Sequence, residues 1–127
     1  NFFPAKLVKS GEKILVDAGD FKVKIPDSHS APYKSMDGRS IIFGIRPENI
    51  HDAEFAPQNI HGEKVSAKVD VTELMGNETL IYLVSGRNTF VGRVDPRSKL
   101  RVNDSTQVVF DMDKFHIFDA SAEEAIR

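Results

Sequence analysis

From Lys64 to Thr72 the chain alternates: Val65, Ala67, Val69 and Val71 stand between Lys64, Ser66, Lys68, Asp70 and Thr72. A period of two sends successive side chains to opposite faces, so this segment predicts a strand with one face on a core. Beyond Met75-Gly76-Asn77-Glu78, the run Thr79 to Val84 is apolar on both faces, and Ser85-Gly86-Arg87-Asn88 leads into Thr89 to Val94. Short Gly-containing links between such runs predict three sequential antiparallel strands. Upstream, Ile14-Leu15-Val16 and Phe21 to Ile25 flank Asp17-Ala18-Gly19-Asp20, which reads as a second hairpin. Ser40 to Ile45 forms a further apolar run. Val108-Val109-Phe110 and Phe115 to Phe118, separated by Asp111-Met112-Asp113-Lys114, predict a third hairpin that closes the sheet system.

Helical signals are confined to the end, where Ser121 and Glu124 can form a capping box for a last turn through Ile126. Many short strands with Gly and Pro between them predict an all-β fold. The expected form is a small, partly open five-stranded OB-like barrel, single or paired, with a short C-terminal helical turn. Pro26 to Arg39, rich in Ser, Pro, His and Gly, reads as an exposed loop dividing two sub-barrels near 26–40, and Glu54 to Gly62 as a second loop. The 127 residues suit one domain.

Composition narrows the partners. With 17 Lys+Arg against 19 Asp+Glu and a net charge of -2, the chain has no basic footprint for a nucleic-acid backbone. The absence of Cys excludes a disulfide framework, a thiol nucleophile and a thiolate metal cage, and suits a reducing compartment. No window approaches the roughly 20 apolar residues that span a bilayer, and no secretory signal pattern opens the chain. Asn1-Phe2-Phe3-Pro4-Ala5 reads as a cut through a longer polypeptide.

Catalytic patterns are missing as well. No GxxxxGK[ST] string occurs to cradle phosphates, and the glycines fall singly. His29, His51, His61 and His116 never pair at metal-binding spacing, and no GxSxG elbow surrounds Ser10, Ser35 or Ser66. Asp111 and Asp113 resemble a carboxylate pair, but in a turn such groups bond local amides.

Phe43-Gly44-Ile45-Arg46-Pro47-Glu48-Asn49-Ile50 resembles the GIRPE string of the regulatory region that follows the ATPase core in MalK-type subunits of carbohydrate importers. Pro47 holds Arg46 extended, and the corner suits an ion pair between Arg46 and Glu48. Glu73-Leu74-Met75-Gly76-Asn77-Glu78-Thr79 is similar to that family's E-x-x-G-x-E turn. Phe110-Asp111 leading to His116-Ile117-Phe118-Asp119 resembles its closing strand, and Asn1 to Ala5 its start.

The resemblance implies a transport-associated OB (TOBE) barrel, non-catalytic by itself, that dimerises and regulates the ATP-binding subunit of a sugar or glycerol-phosphate importer. It implies no cofactor in this chain, with ATP and Mg belonging to the absent ATPase core. The implied partners are a second copy, that core and through it the membrane subunits, and regulatory proteins. The implied location is cytoplasmic, at the inner face of the membrane without insertion. Arg46, Pro47, Glu48, Glu73, Leu74, Gly76, Asn77, Glu78, Phe118 and Asp119 are the structural and interface candidates. Phe2, Phe3, Phe110, Phe115 and Phe118 are read first as core.

The alternative is a stand-alone small-ligand or oxyanion-binding barrel, since related barrels hold molybdate between subunits. It would need Ser/Thr and Lys clustered around a Gly-rich amide nest. Single-strand nucleic-acid binding would need aromatics interleaved with cations, whereas Tyr82 sits between Ile81 and Leu83.

Overall fold

The computed structural model describes residues 1–120. They form ten strands: β1 (Phe2–Ser10), β2 (Lys13–Asp17), β3 (Lys22–Lys24), β4 (Ser40–Gly44), β5 (Ile50–Asp52), β6 (Gly62–Met75), β7 (Glu78–Ser85), β8 (Asn88–Val94), β9 (Ser105–Asp111) and β10 (His116–Asp119). Two five-stranded antiparallel sheets result, one ordered β10-β4-β1-β2-β3 and the other β5-β9-β6-β7-β8. The all-β, OB-like expectation holds. The capped turn expected at Ser121 to Ile126 falls outside the described residues.

The β6–β7–β8 meander follows the alternation read from the sequence, with two-residue loops at Gly76-Asn77 and Gly86-Arg87. Both loops open on a glycine at positive φ, +71° and +58°, the backbone that a Gly-first hairpin loop requires and that a Cβ penalises. β8 curls onto β5, where a side chain at Gly92 would meet Ile50 Cγ2 at 3.1 Å, so the second sheet closes toward a barrel.

Two expectations need correction. β9 and β10 form no hairpin: β9 pairs with β5 and β6, β10 with β4. Asp111 to Lys114 is therefore a crossing between sheets. Its local pattern looks like a hairpin only because two apolar runs flank a short polar link. Pro26 to Arg39 joins β3 to β4 inside one sheet as two 3-10 turns, Asp27–His29 and Ala31–Tyr33. The earlier passage between sheets falls instead at Ile45 to Asn49, where Pro47 removes a ladder donor and starts a 3-10 turn.

One apolar core is shared by both sheets. Phe3 and Phe43 from the first sheet stack at 6.0 Å, and Phe110 from the second lies 6.2 Å from Phe3 and 5.6 Å from Phe90. Phe3 and Phe110 are core as expected and Phe115 packs against that core partly buried, but Phe2 is 70% exposed and Phe118 lies partly buried outside it. Strand alternation explains the split, since adjacent Phe2 and Phe3 must face opposite ways.

Candidate functional site

The GIRPE corner presents its charges to solvent. Arg46 is extended at φ -77°, ψ 151°, and Pro47–Asn49 turns away as a 3-10 segment. Both Arg46 and Glu48 are exposed, and neither takes part in an ion pair among the described residues. The expected Arg46–Glu48 pair is thus absent: Pro47 fixes the two side chains at the rim of the turn, where water solvates each. Arg46 instead borders a cavity of about 240 Å³ with Asn1, Phe2, Gly44, Ile45, His116 and Phe118. Register creates it. Phe2 and His116 both pair with Gly44, and the missing side chain there admits the rings of Phe2 and Phe118 at 3.4 and 3.5 Å from a hypothetical Cβ. Phe2 and Phe118 meet edge-on at 6.1 Å. Two sequence candidates, Arg46 and Phe118, are brought together here with two exposed groups that belong to the quoted motifs but not to the interface candidates, Phe2 and His116. Asp119, on the other face of β10, is buried and paired with Arg39.

The second group stands apart, on the other sheet. Glu73, Leu74, Gly76, Asn77 and Glu78 form the tip of the β6–β7 hairpin, which runs past the end of β9. The Tyr82 hydroxyl donates to Glu73 Oε2 at 3.2 Å, and that hydrogen-bonded carboxylate raises the phenol above its ordinary pKa. Arg93 Nε meets Glu78 Oε2 at 2.9 Å across β7 and β8. Leu74, 81% exposed, packs on nothing in the core.

Asn1 and Asp113 were not among the candidates. The Asn1 amide Nδ2 donates to Ile45 O at 3.1 Å and Val91 O at 2.9 Å, while its Oδ1 accepts from Val91 N at 2.8 Å, binding the chain start to both sheets. Asp113 gathers the connections: His61 N–H donates to Oδ2 at 3.0 Å, and the rings of His61 and His29 reach Oδ1 at 2.8 and 3.2 Å. The His61 backbone donor, then the His61 ring and the His29 ring, hold this carboxyl below the usual carboxylate range. Among the described residues no His/Asp/Glu group is placed to hold a metal.

An open groove of about 900 Å³ brings Ser66, Ser85, Ser105 and Thr106 near Lys68 and Lys99, a cluster invisible in the sequence. Asp52, Glu54 and Asp104 line it too, so carboxylates outnumber ammoniums and an oxyanion is disfavoured there.

With this geometry in place, the similarities are specific. The family described as "MalK OB fold domain" matches residues 1–50, and that described as "TOBE domain" matches residues 43–118. The chain belongs to the TOBE domain family. This TOBE domain is 40% identical to the trehalose/maltose import ATP-binding protein MalK of Thermococcus litoralis, over 99% of the chain and 34% of that protein. It is 35% identical to the oligosaccharides import ATP-binding protein MsmX of Bacillus subtilis, over 100% of the chain and 34% of that protein. The multiple sugar-binding transport ATP-binding protein MsmK of Streptococcus mutans is 34% identical over 100% of the chain and 33% of its own length. The TOBE domain therefore spans about a third of the length of these curated relatives. The molybdate-binding protein ModG shares the fold, with a TM-score of 0.63 at 12% identity over 92% of this chain and 94% of that one.

The GIRPE corner and the E-x-x-G-x-E turn fall within the matched TOBE region. Phe2 had a usable signal in the sequence: of two adjacent aromatics in one strand, one must face out. Asn1 had none, because its partners lie 44 and 90 residues away.

Proposed function

We propose that this TOBE domain is the regulatory, dimer-tethering segment of the ATP-binding subunit of a carbohydrate importer, working at the cytoplasmic face of the membrane. The supporting observation is similarity over nearly the whole chain to proteins named as sugar import ATP-binding subunits. The chain carries no phosphate-binding loop. A segment without catalytic groups alters hydrolysis only by stabilising one assembly state over another. Two such segments in contact keep their ATPase cores at high effective concentration while those cores open and close.

Contact between copies is isologous, so one self-complementary patch must serve both. The Phe2–Phe118 face with Arg46 is the best candidate: apolar, exposed and on β10, the edge strand of its sheet among the described residues. Pro47 and Glu48 shape its rim, Asp119 anchors β10 beneath it, and the same face offers a regulator an aromatic pocket with an exposed guanidinium. The membrane subunits are reached through the ATPase core, which also holds ATP and Mg. The test compares the full subunit with one lacking Asn1 to Arg127, by sedimentation and ATPase activity across a dilution series. The proposal predicts intact hydrolysis chemistry with a steeper dependence on concentration after truncation; identical dimerisation and identical concentration dependence would overturn it.

A further inference from the structure

The β6–β7 hairpin carries an open strand edge. β9 accompanies β6 only from Gly62 to Lys68. The last backbone bonds from that side are Val69 N to Asp104 O at 2.9 Å and Asn103 N to Val69 O at 2.7 Å. Among the described residues, β6 pairs from Val71 to Met75 with β7 alone. Met75 and Glu78 close a two-residue loop, and such a closing pair exchanges its N–H and C=O groups within the hairpin. Alternation then turns the N–H and C=O groups of Thr72 and Leu74 to the open side.

Apolar side chains stand exposed there beside the charged ones. Five large hydrophobic residues are exposed among the described residues: Phe2, Val71, Leu74, Met75 and Val102. Three of them sit on this segment, and Val102 precedes Asn103, whose amide bonds to Val69. An unpaired, apolar strand edge is a template for a further strand.

Charge selects the occupant. Asp70 to Leu80 contains Asp70, Glu73 and Glu78 and no Lys or Arg. Arg93 answers Glu78, while Asp70 and Glu73 take part in no ion pair among the described residues. Two copies laid edge to edge would set these carboxylates against each other, and like charges across a ladder destabilise it. A strand bearing Lys or Arg gains where a second copy loses.

We propose that the open edge of β6 at Asp70 to Met75 is a docking site for an extended segment of a partner protein that alternates basic and apolar residues, added as a further strand to the second sheet. This site is separate from the Phe2–Phe118 face assigned to the second copy, and its test does not depend on that reading.

The probe is a fluorescent, end-capped peptide of alternating Lys and Val, titrated into the 127-residue chain, with a Glu–Val peptide as control. Binding of the Lys–Val peptide is expected, with slowed hydrogen exchange at the Thr72 and Leu74 amides. Thr72→Pro deletes an open-side donor while leaving the β7 ladder intact, and should weaken binding by about tenfold, the worth of one strand hydrogen bond. Asp70→Lys with Glu73→Lys keeps every backbone donor and should switch preference to the Glu–Val peptide, which covers the case of a misfolded proline variant. The proposal is overturned if the Lys–Val peptide does not bind. It is overturned equally if the two peptides bind the wild-type chain alike, if Thr72 and Leu74 gain no protection, or if Thr72→Pro abolishes a dimer of the chain itself.

Discussion

Gly86→Ala separates backbone strain from a contact between the two sheets. Gly86 opens the β7–β8 loop at φ +58°, and a Cβ there would lie 2.2 Å from the Asp20 carboxyl carbon. Asp20 belongs to the β2–β3 turn of the other sheet. Its Oδ2 accepts from Arg87 N at 2.8 Å and from Asn88 Nδ2 at 3.4 Å. The left-handed backbone costs a side-chain-bearing residue about 1–2 kcal/mol. Driving Asp20 away forfeits two hydrogen bonds worth about 0.5–1 kcal/mol each in this exposed setting. Gly86→Ala should therefore destabilise by about 2–4 kcal/mol in a urea melt. Gly76→Ala, at φ +71° with nothing within 4 Å of its Cβ, should cost only the backbone part, about 1–2 kcal/mol. In an Asp20→Ala background the excess at Gly86 should vanish. Equal losses at Gly76 and Gly86 in the wild-type background would refute the reasoning.

Arg46→Ala should leave stability within about 0.5 kcal/mol of wild type in the same melt, since the guanidinium is exposed and takes part in no ion pair among the described residues; a larger loss would restore the ion-pair reading. Asn1→Ala should cost about 1–3 kcal/mol by removing three side-chain bonds that join the sheets, measured by denaturation. The Asp113 carboxyl is depressed in the folded state, so it contributes stability above its unfolded pKa of about 3.9 that is lost as pH falls through the lower folded value. Asp113→Asn should flatten the acid limb of stability below about pH 4, measured as urea-melt stability against pH.

What the sequence revealed was whatever its neighbours in sequence decide. Lys64 to Val94 announced three strands because alternation and Gly-first loops are local. Leu7 and Phe43, by contrast, belong to one sheet through pairings that no short window contains. The same limit explains the misplaced hairpin: Phe110 and Ile117 look like partners across a turn, yet each is claimed by a different sheet. Motif residues were legible as positions but not as contacts. Pro47 was read correctly as holding Arg46 extended, while the ion pair expected around it failed because the turn it starts faces solvent. His29, His61 and Asp113 come from three separate connections and converge only after folding.

The central claim is that two copies of this domain hold an ATPase pair together while the cores move. The chain contains no cysteine, so Lys99→Cys introduces a single spin-label site in it. In the full subunit, with any cysteines elsewhere replaced, pulsed electron resonance then gives the distance between the two labelled domains with Mg-ATP, with Mg-ADP and without nucleotide. The account predicts one narrow distance, unchanged across the three states and broadened or lost in Phe2→Ser with Phe118→Ser. A distance that shifts with nucleotide as the cores separate, or one indifferent to the aromatic substitutions, would contradict it.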